Sequence, residues 1–272
     1  MPVITSLAEA IAGHVRDGDT VCMEGFTHLI PFAAGHEVIR QGRRDLTLIR
    51  MTPDLIYDQL IGAGCVRRLV FSWGGNPGVG SLHRLRDAVE NGWPRPLEIE
   101  EHSHAAMANA YWAGAAGLPL ALFRGYLGSD LPSVNQSIRF LEDPFTGERL
   151  TVVPAIKPDV TVIHAQRADR DGNVLLEGIV GVQKEAALAA RRAVVVTVEE
   201  IVDDLRPPSY NSVILPAWTI DAIAEAPGGA RPSYAHGYYT RDNAYYAEWD
   251  AISRDRDRFR RWLEDEILPD SP

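Results

Sequence analysis

Apolar residues recur along this chain with two alternating periods. Ser6-Leu7-Ala8-Glu9 has the S-x-x-E form of a capping box, and Leu7, Ile11, His14 and Val15 follow at helical spacing until Asp17-Gly18-Asp19 stops them. The next apolar run, Thr20-Val21-Cys22-Met23, is short and ends in Glu24-Gly25-Phe26, which predicts a strand closed by a glycine turn. The alternation continues with helices expected over 32–40, 53–61, 81–90 and 103–116, and strands over 46–49, 68–71 and 97–100. Further strands are expected over 160–163 and 193–198, with a helix around 184–192 between them. Apolar strands alternating with helices imply an α/β fold with a mainly parallel central sheet covered by helices on both faces.

Two stretches depart from that rhythm. Residues 130–158 contain Pro132, Pro144, Pro154 and Pro158 and read as an excursion over the surface. From about 207 to 255 the aromatic content rises, with Tyr234, Tyr238, Tyr239, Tyr245, Tyr246 and Trp249; few basic residues are interleaved, so this reads as a packing or subunit surface. The 272 residues are treated as a single domain, 1–272, and 46% hydrophobic against 24% charged residues is a globular composition.

The net charge of −10, with pI ≈ 5.3, argues against a nucleic-acid groove or an anionic membrane surface. No apolar run of ~18 residues is present and no basic-then-apolar leader precedes the first helix, so a cytoplasmic protein is expected. Cys22 and Cys65 form neither a disulfide framework nor a zinc motif and are expected to be buried and reduced.

Three places could carry chemistry. The loop Trp73-Gly74-Gly75-Asn76-Pro77-Gly78-Val79-Gly80-Ser81 leaves a strand and opens a helix, where backbone N–H groups can meet an anion. It is neither nucleotide motif: Ser81 stands where a P-loop needs lysine, and His83 where a dinucleotide fingerprint needs its third glycine. Glu24-Gly25-Phe26-Thr27 holds the corresponding place after an earlier strand, where amides can form an oxyanion hole. Glu100-Glu101-His102-Ser103-His104 is the densest titratable cluster. His102 and His104 have H-x-H spacing, but the later strands end in Ala165 and Val198 instead of ligands, so no metal is expected. Alternation sends Glu98 and Glu100 to one face and Glu101 to the other, which makes Glu101 the carboxylate expected to face a pocket. No G-x-S-x-G elbow is present, which argues against a serine hydrolase.

Asp17-Gly18-Asp19-Thr20-Val21 leading to Glu24-Gly25-Phe26, and Ala168-Asp169-Arg170-Asp171-Gly172-Asn173-Val174 after a strand, resemble the α subunit of class I coenzyme A transferases of the glutaconate type. Pro227-Gly228-Gly229-Ala230-Arg231-Pro232-Ser233 and Tyr238-Tyr239-Thr240-Arg241-Asp242-Asn243 resemble the branch that holds the steroid-ring-opening CoA hydrolases. The resemblance implies the family's α/β fold, a homologous β subunit in an α2β2 assembly, and a CoA thioester as substrate with no separate cofactor. In the family's transferases the nucleophilic glutamate lies on the β subunit in an S-E-N-G-like motif. Glu90-Asn91-Gly92 matches part of it, but Asn91-Gly92 is also the spelling of a helix C-cap, so Glu90 is set aside. The ring-opening branch points to a glutamate at the strand end of Glu101. The resulting expectation is the α chain of a steroid ring-opening hydrolase, with Glu101 as general base and Gly25, Phe26, Thr27, Gly74, Gly75 and Asn76 lining the acyl site. The rival readings are the α chain of an acyl-CoA:carboxylate CoA-transferase and a non-catalytic half of such a complex.

Overall fold

A computed structural model describes residues 1–206 and 210–268; Pro207, near the expected start of the aromatic-rich segment, lies outside the described residues. The first half runs β1 (Val3–Ile4), α1 (Leu7–His14), β2 (Thr20–Glu24), α2 (Phe32–Arg40), β3 (Leu46–Ile49), α3 (Leu55–Gly62), β4 (Val66–Phe71), α4 (His83–Asn91), β5 (Glu98–Glu101) and α5 (His104–Ala115). It continues with β6 (Leu120–Phe123), α6 (Leu131–Val134), β7 (Arg139–Glu142), β8 (Arg149–Pro154), β9 (Val160–Asp169), β10 (Val174–Leu176), α7 (Gln183–Ala189), β11 (Ala193–Val202), β12 (Val213–Leu215) and β13 (Ala222–Glu225). Helices α8 (Asn243–Arg254) and α9 (Arg256–Trp262) follow, with a π-helical turn over Leu263–Ile267.

Local chemistry explains the element ends. The Ser6 hydroxyl accepts from the Glu9 amide, and the Glu9 carboxylate accepts from the Ser6 amide, closing the capping box at α1. Gly92, in the left-handed region, terminates α4 as the C-cap that Asn91-Gly92 spells.

The main sheet has the order β1-β13-β11-β9-β2-β3-β4-β5, and every neighbouring pair on that path is parallel. Strand alternation divides its side chains between two helical layers. Val21, Met23, Leu48 and Leu69 pack with α1 to α4, α8 and α9. Cys22, Ile49 and Val70 pack with Met107, Ala110 and Tyr111 of α5 and Ala186 of α7. From β2 the chain builds outward through β3, β4 and β5, and then crosses back to place β9, β11 and β13 on the other side of β2. The strand order therefore reverses between β2 and β9, and the crevice at their carboxyl ends is where open α/β sheets bind ligands.

The 130–158 excursion has more structure than its prolines suggest: β7 and β8 form a hairpin, and β8 pairs with β6 to make a three-stranded antiparallel sheet. The hairpin β9–β10 and its partner β12 also escaped the sequence pattern. In the aromatic-rich segment Tyr246 and Trp249 are interior packing, buried with Phe259 and Trp262 against the first helical layer, while Tyr238 is exposed. Trp249 donates its indole N–H to Asp58 at 3.1 Å. Among the described residues, no helix is long and apolar enough to cross a membrane.

Candidate active site at the β2–β9 switch point

The turn that leaves β2 is held in a conformation ordinary side chains avoid. Thr27 has φ 56° and Leu29 φ 52°, both in the left-handed region where branched residues are unfavourable, so the surroundings must hold them there. Gly25 has no alternative: a Cβ there would lie 2.8 Å from the Leu29 carbonyl oxygen and 2.9 Å from Ile30 Cα.

His28, between the two left-handed residues and fully buried, supplies the restraint. Its Nε2 accepts the His236 backbone N–H at 2.9 Å, so Nδ1 carries the proton and donates to the Ile179 carbonyl at 3.2 Å. Its ring lies 4.5 Å from that of Tyr234. Burial holds its pKa down to about 4, despite the hydrogen bond to Ile179, so the neutral tautomer that makes both bonds is the form present near neutral pH. One imidazole thus ties the β2 turn to the loop 177–182 and to the segment 234–239. Phe26, 40% exposed, is left at the crevice.

Beneath the turn lies a buried polar cluster. Arg50 Nη2 donates to the Gly25 carbonyl at 2.7 Å while Nη1 pairs with Asp54 at 2.9 Å. Glu24 Oε1 accepts from the Tyr111 hydroxyl at 2.6 Å and from the Met51 amide at 3.0 Å. Burial pushes the Glu24 carboxyl up, against the Arg50 charge and these hydrogen bonds. Burial also pushes the thiol of Cys22 well up; its Sγ lies 3.2 Å from the Tyr111 hydroxyl. Both cysteines are free and buried.

The second glycine loop differs from its expected role. The Gly75 amide donates to the Pro53 carbonyl, and the backbones of Asn76 and Gly80 bond to each other in both directions. Asn76 is buried and its Nδ2 donates to the Tyr246 carbonyl at 2.8 Å, so it anchors the loop to α8 instead of lining a crevice. Gly74 has only ordinary contacts around it.

At the end of β5, the alternation argument chose the other glutamate. Glu101 is exposed on this chain. Glu100 turns inward, between His102 Nε2 at 2.8 Å and the Arg68 guanidinium. Burial would raise its pKa, but hydrogen bonds from His102 and Ser137 and the Arg68 charge hold it at about 2. His102 is buried while His104 is exposed, so the H-x-H pair does not converge. Among the described residues no group of three or more His, Cys, Asp or Glu side chains could hold a metal. Glu90 is an exposed partner of Arg86 at 2.9 Å on α4. The Asp169–Asn173 stretch that carries the family resemblance is the β9–β10 hairpin turn, in which Asn173 binds Asp169 through its amide and side chain. His28 and Tyr111 were not singled out in the sequence, because each acts through partners far away along the chain, and Arg50 was not because its partner carbonyl, that of Gly25, lies on another strand end.

The coenzyme A transferase family profile matches residues 4–226. One of the subunits of the 3-oxoadipate CoA-transferase of Pseudomonas knackmussii is 66% identical over 98% of this chain and 94% of its own. The crystal structure of glutaconate coenzyme A-transferase from Acidaminococcus fermentans superposes with a TM-score of 0.90 at 31% identity, covering 98% of this chain and 89% of that one. The cholesterol ring-cleaving hydrolase IpdA subunit of Rhodococcus jostii is 26% identical over 89% of this chain and 85% of its own. These similarities overturn the expected steroid ring-opening hydrolase: the C-terminal motifs that suggested the hydrolase branch are outweighed by similarity along nearly the whole chain to one chain of a transferase. The chain belongs to the coenzyme A transferase family.

Proposed function

We propose that this chain is one half of a two-chain CoA-transferase that moves CoA from an acyl-CoA donor to a short 3-oxo dicarboxylate, working with a homologous second chain. The observation that carries this reading is the 66% identity, over 98% of the chain, to its counterpart in a 3-oxoadipate CoA-transferase. The site chemistry is compatible with it. In this reading Gly25, Phe26 and Thr27 line the acyl crevice, the loop of Gly74, Gly75 and Asn76 stands outside it, and Glu101 is exposed at a neighbouring strand end. Glu24 is enclosed by hydrogen bonds and so is not free to attack a thioester, and Glu90 is an exposed helix residue on α4 paired with Arg86. The covalent step is assigned to the partner chain. CoA enters as part of the substrate, and no separate cofactor is invoked.

Co-expression with the homologous second chain provides the test. The complex should transfer CoA to 3-oxoadipate with ping-pong kinetics, and this chain alone should be inactive. Turnover by this chain alone, or release of free CoA by hydrolysis faster than transfer, would refute the proposal.

A further inference from the structure

Gln183 opens α7 and is fully buried, yet neither its Nε2 nor its Oε1 has a hydrogen-bond partner. Buried amides are nearly always satisfied, and each unmet end is costly, so two on one side chain call for a ligand or an explanation. The amide sits beside the β2 turn: a Cβ built on Gly181 would lie 3.0 Å from Phe26 Cβ and 3.2 Å from Gln183 Oε1. Glycine at 181 thus lets the turn carrying Phe26 and the unpartnered amide share one small volume. Phe26 is partly exposed, so the side chain that meets the amide across Gly181 also reaches solvent.

The chemistry needed to satisfy the amide is specific. Nε2 is an uncharged donor, and the nearby cation, Arg50, is committed to Asp54 and the Gly25 carbonyl, while His28 is neutral. That setting suits a carbonyl oxygen better than a carboxylate, which would need a charged partner. Oε1 needs an N–H or O–H donor. An acyl-CoA thioester offers both within a few bonds of the reacting carbon: carbonyl oxygens on the acyl chain and the first amide N–H of the pantetheine arm.

We propose that Gln183 is a specificity-determining residue that donates to the 3-oxo carbonyl of the acyl group and accepts from the pantetheine N–H, entering the site as Phe26 swings aside. This rests on the transferase reading above. The test uses Gln183→Met, of similar length and without the amide, in the complete two-chain complex, with CoA transfer measured to 3-oxoadipate and to adipate, which lacks the 3-oxo group. Because both acids are measured on one preparation, the ratio of their kcat/KM values is independent of how much of the variant is folded. The variant should lose about 10- to 100-fold more in kcat/KM for 3-oxoadipate than for adipate, whose smaller loss reports the pantetheine contact alone. Its melting temperature should be unchanged or higher, since two unmet buried groups are removed. Gln183→Leu should reproduce the ratio. An equal fall on both acids, or no fall on either, overturns the assignment and leaves Gln183 as packing alone. Failure of the wild-type complex to transfer CoA to either acid instead refutes the transferase reading, and this inference with it.

Discussion

After β2 the chain passes through Glu24-Gly25-Phe26-Thr27, and after β4 through Trp73-Gly74-Gly75-Asn76. Both are glycine turns at carboxyl ends of parallel strands, yet they use glycine differently. The first has no room for a side chain at Gly25 and is braced from outside, by His28 through Ile179 and His236 and by Arg50 through the Gly25 carbonyl. The second closes on itself, spending its amides on Pro53 and on the Asn76–Gly80 bridge. A glycine-rich loop is a ligand site only where its peptide groups remain unspent, and that depends on what surrounds it.

Substitution at the two glycines should separate the loops most sharply. Gly25→Ala places a Cβ against backbone atoms that cannot move without dismantling the turn; a destabilisation of about 1–3 kcal/mol or more is expected, with activity of the complex largely lost. Gly74→Ala, with its nearest neighbours at 3.8 Å, should melt and turn over close to wild type. Urea unfolding and steady-state rates on both variants check the contrast, and equal effects would remove it.

The brace should also be visible in the pH dependence of stability. The unfolded chain protonates His28 near its ordinary pKa of about 6.5, while the folded chain does so only near about 4. Between those values the unfolded state binds the extra proton, so the stabilisation held above pH ~6.5 is lost as pH falls toward ~4, by on the order of 3 kcal/mol. His36, also buried and also held down to about 4, adds a similar slope. The His28 share is the difference between wild type and His28→Asn in urea midpoints measured across that range. Superimposable pH profiles would show that His28 does not brace the turn.

A smaller effect is expected at Asn76. Asn76→Ala leaves the Tyr246 carbonyl without its donor and should cost about 1–3 kcal/mol, yet KM for both substrates should stay unchanged when rates are corrected for folded protein. A rise in KM would return the loop to the substrate site. Smallest of all, Glu90→Gln removes an exposed pair with Arg86 and should change stability by less than about 0.5 kcal/mol, with turnover unchanged.

Much of the fold was legible along the chain. Helix α1 begins at its capping box, α2 and β3 fall on the residues the pattern marked, and the β–α alternation through β5 follows from short apolar runs between turn residues. The antiparallel pieces were not legible. β10 and β12 are three residues each, too short to show a period, and β7–β8 lies in a proline-marked stretch whose strands show only when paired with β6. At the candidate site the β2 turn itself was legible, because glycine after a strand is a local signal. Which of Glu100 and Glu101 is covered was not legible, because alternation gives opposite faces without saying which is enclosed; His102 and Arg68 enclose Glu100.

Local order in the chain was sufficient for the alternating strands and helices, their parallel assembly and the family, because periodicity, caps and turn spellings act over a few residues. Which groups make a site was decided only on folding. His28 meets Ile179 and His236, and Gln183 lies beside Phe26, across separations of more than a hundred residues in the chain. No local rule relates such residues. Burial, and the hydrogen bonds that burial makes obligatory, take effect only when the reversal of strand order brings those loops to the carboxyl ends of β2 and β9.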